Sequence, residues 1–161
     1  MIDPISELKD YITQFNNFKK KFLRFESFLI SGKQIPESWE WFREEIGPLK
    51  LNFDNDNKIS LEICDKHIFC KFDCFSNKYG MLLFGYEKKT ICRENVDRYT
   101  GYVLFDTDAN LYNREEKPLV YEKGKQDKLS LYDHHCMDQV IFPGLKEALE
   151  TLIKEPLEQC K

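Results

Sequence analysis

The first thirty residues constrain the fold more than any other stretch. Leu8, Tyr11, Phe15, Phe18, Phe22, Phe25 and Leu29 recur at alternating spacings of three and four, which places them on one face of a helix. Asp3 is positioned to cap that helix, Pro4 suits its first turn and Gly32 its end. At about 1.5 Å per residue such a helix is roughly 42 Å long. A row of rings that long needs a broad apolar surface laid against it.

The remainder of the chain offers one. A short helix is expected over 36–46, with Trp39, Phe42 and Ile46 turned inward, Trp41 off that face, and Gly47-Pro48 as its stop. From residue 49 the period changes to two. Alternating runs over 49–53, 59–63 and 68–74 read as strands separated by Asx-rich or polar turns. The nearly continuous apolar run 80–86 suits a central strand. Residues 93–98 read as a polar connection, 99–105 as the next strand, and 106–117 as a polar loop. Short edge strands follow over 118–122 and 129–131. A last helix opens at Pro143-Gly144, turns Leu145, Ala148, Leu149, Leu152 and Ile153 to one side, and is stopped by Pro156. Helices at both ends with strands between them predict a single α+β domain over 1–161. The long aromatic-striped helix and the C-terminal helix are expected to pack on a five- to seven-stranded, mainly antiparallel sheet.

Composition narrows the classes. Hydrophobic residues make up 42% and aromatic residues 14% of 161 residues, enough for a buried core and too apolar for a disordered chain. A net charge of −4 weighs against dedicated binding to nucleic acid or to an anionic membrane. No apolar run is long enough to span a bilayer, and the first residues lack the pattern of a secretory signal, so the expected location is the cytoplasm. Cys64, Cys70, Cys74, Cys92, Cys136 and Cys160 are accordingly expected as reduced thiols, mostly small core residues.

Several constellations carry possible chemistry. Asp106-Thr107-Asp108-Ala109-Asn110 opens like a calcium loop, but Leu111 and Lys117 stand where glycine and a bidentate glutamate belong. The run from Asp54 to Asn57 fails in the same way, and both read as turns. Asp133-His134-His135-Cys136 gathers four ligand types, giving an alternative metal site, and Cys136 beside a histidine could serve as a nucleophile. No CxxC pair supports zinc, however, and no cofactor is expected. Asp73 followed by Glu87-Lys88-Lys89 resembles the PD-(D/E)xK nuclease arrangement. The resemblance implies Asp73 and Glu87 as Mg²⁺ ligands and Lys89 as the residue steadying the attacking water. The pattern departs from that family in having no Pro-Asp before the turn and no helix directly after Glu-x-Lys.

With no catalytic constellation complete, the primary expectation is a non-catalytic protein-binding module of the inhibitor, immunity or adaptor kind. Its expected contact residues are Trp41, Tyr86, Tyr99, Tyr112 and Tyr132, together with Lys19, Lys20 and Arg24 on the polar side of the first helix. An acidic surface suits a basic protein partner. A monomer is expected before a homodimer paired through the first helix. The alternative is a metal-dependent hydrolase or nuclease built on Asp73, Glu87 and Lys89 or on the His134-His135 cluster.

Overall fold

The computed structural model describes residues 3–31, 50–54, 57–63, 66–89, 95–120 and 128–154. Helix α1 spans Pro4–Ser31. The Oδ1 of Asp3 accepts a hydrogen bond from the Ile5 amide at 3.1 Å, the N-cap that the sequence calls for. Six strands follow: β1 (Lys50–Asp54), β2 (Lys58–Ile63), β3 (Lys66–Cys74), β4 (Gly80–Lys89), β5 (Asn95–Phe105) and the two-residue β6 (Leu111–Tyr112). They form a curled antiparallel meander in chain order, each strand paired with the next. A single helical turn at His134–Cys136 and a π-turn at Met137–Ile141 lead into helix α2, Phe142–Lys154. The α+β architecture expected from the sequence is the one found.

Both helices lie on the same face of the sheet. Ile59 and Leu61 of β2, Ile68, Cys70 and Phe72 of β3, Leu82, Phe84 and Tyr86 of β4, and Val103 and Phe105 of β5 point at them and form one buried cluster. Phe72 is a hub of this core. Phe22 stacks on it with centroids 5.6 Å apart, and Phe15 and Phe105 tilt against it at 5.8 and 6.0 Å. Phe18 meets Phe105 edge-on at 5.9 Å, so rings from helix and sheet interdigitate in the offset and edge geometries that aromatic pairs prefer. At α2, Gly144 permits close approach, because a Cβ there would stand 2.7 Å from the Phe84 ring.

Three expectations need correction. The aromatic stripe is core only where the sheet lies beneath it: Phe18, Phe22 and Phe25 are fully buried, whereas Leu8 is 59% and Tyr11 52% exposed. The first half of α1 packs less tightly, with Tyr11 and Phe15 bordering a cavity beside Cys74 and Phe75 at the β3–β4 hairpin. Residues 95–98 belong to β5, paired with β4, and are not a connection. Over 118–120, isolated bridges take the place of an edge strand, with Pro118 facing Tyr112 and Val120 facing Lys128. Residues 36–46, including Trp39 and Trp41, lie outside the described set.

The energetic weight therefore sits in the second half of α1. Replacing Phe22 by alanine removes a fully buried ring and should cost about 3–5 kcal/mol of unfolding free energy. Ile153→Ala on α2, at a side chain 63% exposed, should stay within about 0.5 kcal/mol. Urea denaturation of both variants reads the difference directly.

Candidate functional site

Among the described residues no helix covers the other face of the sheet. What stands there is decided by one irregularity. The β4–β5 register runs Leu83 to Tyr102 and Phe84 to Gly101, then skips Thr100 and resumes with Gly85 to Tyr99. The extra residue is a β-bulge, and it reverses the alternation of β5 from that point on. Tyr99 and Tyr102, three residues apart and so on opposite faces of a regular strand, share the open face as a result. Thr100 Oγ1 donates to the Phe84 carbonyl at 3.3 Å across the bulge. Gly85 is required beside it, because a Cβ would lie 2.0 Å from the Arg98 carbonyl oxygen.

The open face carries an aromatic row. Phe69, buried to 0% but outside the main cluster, meets the edge of Tyr99 at 5.8 Å. Phe75, at the end of the β3–β4 hairpin, stacks on Tyr102 at 5.9 Å, and Tyr79 tilts against Tyr112 at 5.1 Å. Cations sit over these rings: Lys58 Nζ is 4.2 Å from the Phe69 centroid, Arg114 5.3 Å from Tyr102 and Lys128 5.8 Å from Tyr112. Tyr99 is 52% and Phe75 43% exposed, so the row presents ring surface to solvent.

An ionic group closes each end. At one end, Glu87 and Asp97 face each other across β4 and β5, a pairing of like charges that would oppose sheet formation. Lys58 resolves it, reaching over Phe69 to donate to Glu87 Oε1 at 2.9 Å and to both Asp97 oxygens at 3.2 Å. Burial works against the charged Lys58, yet the two carboxylates outweigh it and hold its pKa above the ordinary 10.5. At the other end, Asp106 Oδ1 accepts the amides of Asp108 and Asn110, both at 2.9 Å. Its Oδ2 accepts the Tyr112 hydroxyl at 2.7 Å, and that bond, with burial and the nearby charge, pushes the phenol up to about 12. Ala109 takes φ 63° in this turn, so 106–110 is an Asx-closed hairpin turn.

The expected site residues scatter. Tyr99 and Tyr112 stand on the open face. Tyr86 is a correction: it lies on the helix side, is 3% exposed, and belongs to the core. Tyr132 lies beside α1, its hydroxyl donating to the Lys21 carbonyl at 3.3 Å, with Arg24 4.7 Å from its ring centroid. Lys20 is exposed and Lys19 half-buried on the same helix, while Trp41 is outside the described residues.

The nuclease pattern does not assemble. Asp73 pairs with Met81 and Glu87 with His67, which separates the two carboxylates by six residues of β4, about 20 Å at 3.4 Å per residue. No single ion spans that gap, and Glu87 is already engaged by Lys58; the Lys89 side chain is outside the described set. In the second cluster, Asp133 Oδ1 accepts the His135 amide at 3.0 Å and its carbonyl accepts the Cys136 amide at 2.9 Å. Those bonds cap a helical turn. Cys136 is fully buried, and burial, with Cys70 and Asp133 nearby, pushes its thiol far up, so it stays protonated and is no nucleophile at neutral pH. The His134 side chain is outside the described set, and among the described residues no three metal-binding side chains converge. A cavity of about 460 Å³ between α2 and β5 adjoins the row at Tyr102 and Arg114 and is otherwise lined by residues such as Phe84, Val103, Leu119 and Glu147.

Sequence reasoning missed Phe75, Tyr102 and the Lys58–Glu87–Asp97 trio. The signal available was Gly85 inside an otherwise apolar strand, the mark of a bulge or close backbone approach. No protein-family model, curated protein or solved structure matches the chain.

Lys58→Met should leave Glu87 and Asp97 opposed and lower stability by about 2 kcal/mol, between the values for exposed and buried pairs. Adding Glu87→Gln and Asp97→Asn should recover most of it. Because the Lys58 pKa is raised in the folded protein, its contribution holds at neutral pH and is lost as pH climbs through that value, above 10.5. Urea titrations from pH 7 to 11 should show a steeper loss of stability at the alkaline end in the wild type than in Lys58→Met, which keeps the part that comes from raised groups such as Tyr112.

Proposed function

We propose that the protein is a small, non-catalytic binding module, an inhibitor, immunity-type or adaptor protein acting in the cytoplasm, and that it takes a protein partner on the open face of its sheet. The observation that carries this reading is the aromatic row: Tyr99 and Phe75 are largely exposed, and Tyr102 and Tyr112 are half-buried beside them on a face that no described helix covers. Such rings give large contact area for little loss of conformational freedom, and most are already held in place by a neighbouring ring or cation.

The net charge of −4 favours a basic partner. The face itself is mixed: Asp73 and Asp108 are exposed beside the row, and Lys58, Arg114 and Lys128 lie over its rings. Glu87 and Asp97 are satisfied internally by Lys58, so they need no metal to make the face stable. No helix among the described residues is long and apolar enough to cross a membrane.

Affinity capture from the native cell with crosslinking tests the proposal. Wild-type protein should return a stoichiometric partner, and Tyr99→Ala or Phe75→Ala should weaken that complex by about 2 kcal/mol, roughly thirtyfold, without loss of folding. Capture that returns no stoichiometric partner, or one whose affinity is indifferent to both substitutions, overturns it.

A further inference from the structure

Helix α1 carries a second apolar stripe, about a quarter-turn from the aromatic one. Ile5, Leu8, Ile12 and Phe15 are spaced three, four and three, the a/d pattern of a coiled-coil seam, and they are 63, 59, 52 and 40% exposed. Tyr11, 52% exposed, flanks them. Lys19 continues the line and ends the apolar run. All of these residues precede the fully buried rings of Phe18, Phe22 and Phe25; Phe15, 5.8 Å from the Phe72 ring, joins the seam to the core, and Ile5, Leu8 and Ile12 stand beyond it.

We infer that this stripe is the interface of a homodimer in which two copies of α1 pair antiparallel about residue 10. The spacing is self-complementary in that sense: Ile5 falls opposite Phe15 of the second copy, and Leu8 opposite its Ile12. A two-fold interface requires this reciprocity, since each contact must occur twice. Antiparallel pairing about residue 10 overlaps the first half of each α1 and leaves the two sheets toward opposite ends. Charge selects the same direction. Lys19, Lys20, Lys21 and Arg24 of both copies would crowd together in a parallel pair. In the antiparallel pair they separate to opposite ends of the paired segment, and Lys19 comes level with the start of the partner's helix, near its Asp3.

The area is consistent with a reversible association. Together the five side chains expose on the order of 500 Å² per copy, as large as the biggest apolar patch on an ordinary monomer. Two such patches bury about 1,000 Å², the lower bound for a specific interface. The dimer uses a different surface from the open sheet face, so each can fail without the other.

Sedimentation equilibrium of the full chain over roughly 1–300 μM tests it. A reversible monomer–dimer equilibrium is expected, weakened at least about tenfold by Leu8→Glu or by Ile12→Lys, with circular dichroism unchanged. Mixing the Leu8→Glu and Ile12→Lys proteins should restore a heterodimer, because position 8 meets position 12 only in the antiparallel arrangement. A monomer at every concentration overturns the inference, as does a dimer unaffected by either substitution. A mixture that fails to re-associate overturns the antiparallel pairing.

Discussion

One extra residue in β5 determines what the open face can present. With Thr100 skipped in the ladder, Tyr99 and Asp97 stand on the same side as Tyr102, and Arg98 turns to the helix side opposite Tyr86. Without the bulge the alternation would carry Tyr99 and Asp97 into the core layer, where a carboxylate has no place. The aromatic row and the Lys58 trio therefore have one structural cause. Gly85 meets the steric condition, since only a residue without a Cβ tolerates the Arg98 carbonyl at that distance. Bulges recur where a strand must re-aim a side chain, and here the re-aimed set is the most exposed aromatic group of the sheet.

The curl of the sheet follows the same logic. In register, Lys58 lies opposite Lys71, whereas Glu87 lies opposite His67, two strands over and four residues along. On a flat sheet that offset is about 13 Å along the strand and about 10 Å across. The Lys58 ammonium nevertheless reaches Glu87 at 2.9 Å by lying over the Phe69 ring. The face is concave enough for a lysine on β2 to bind carboxylates on β4 and β5, and in doing so it covers a ring that would otherwise be open to water. Phe69 at 0% exposure and Leu104 at 0%, both outside the helix-side cluster, show that this face has a small core of its own.

Most of the scaffold was legible from period alone, because burying a helix face and a sheet face imposes spacings of 3.6 and 2, interrupted in β5 by the bulge at Thr100. Strands β3 and β4 and the helix carrying Leu145 and Ala148 follow from it, although β3 begins two residues before the expected 68–74 and β4 runs three residues past the expected 80–86. The failures are places where period and neighbourhood disagree. Residues 95–98 look like a connection because Asn95, Asp97 and Arg98 are polar, but Asp97 is answered by a lysine nearly forty positions earlier in the chain. Tyr86 looks like a binding residue by type, yet its even-numbered position in β4 places it with Phe84 and Leu82 in the core. Asp73 and Glu87 look like a catalytic pair by order in sequence; their separation is a matter of register, which spacing alone does not give.

The two stripes of α1 put a limit on reading aromatic content as core. Counting rings along the helix merges Leu8, Tyr11 and Phe15 with Phe18, Phe22 and Phe25 into one surface, yet only the second group is fully buried, and Phe15 is 40% exposed although it packs on Phe72. Burying apolar surface gains about 25 cal/mol per Å², so over a patch of several hundred Å² the first half of α1 leaves several kcal/mol of burial free energy unused in the monomer. The a/d spacing of Ile5, Leu8, Ile12 and Phe15, beside charged residues at Lys9 and Asp10, is what makes that unused burial available to a second helix.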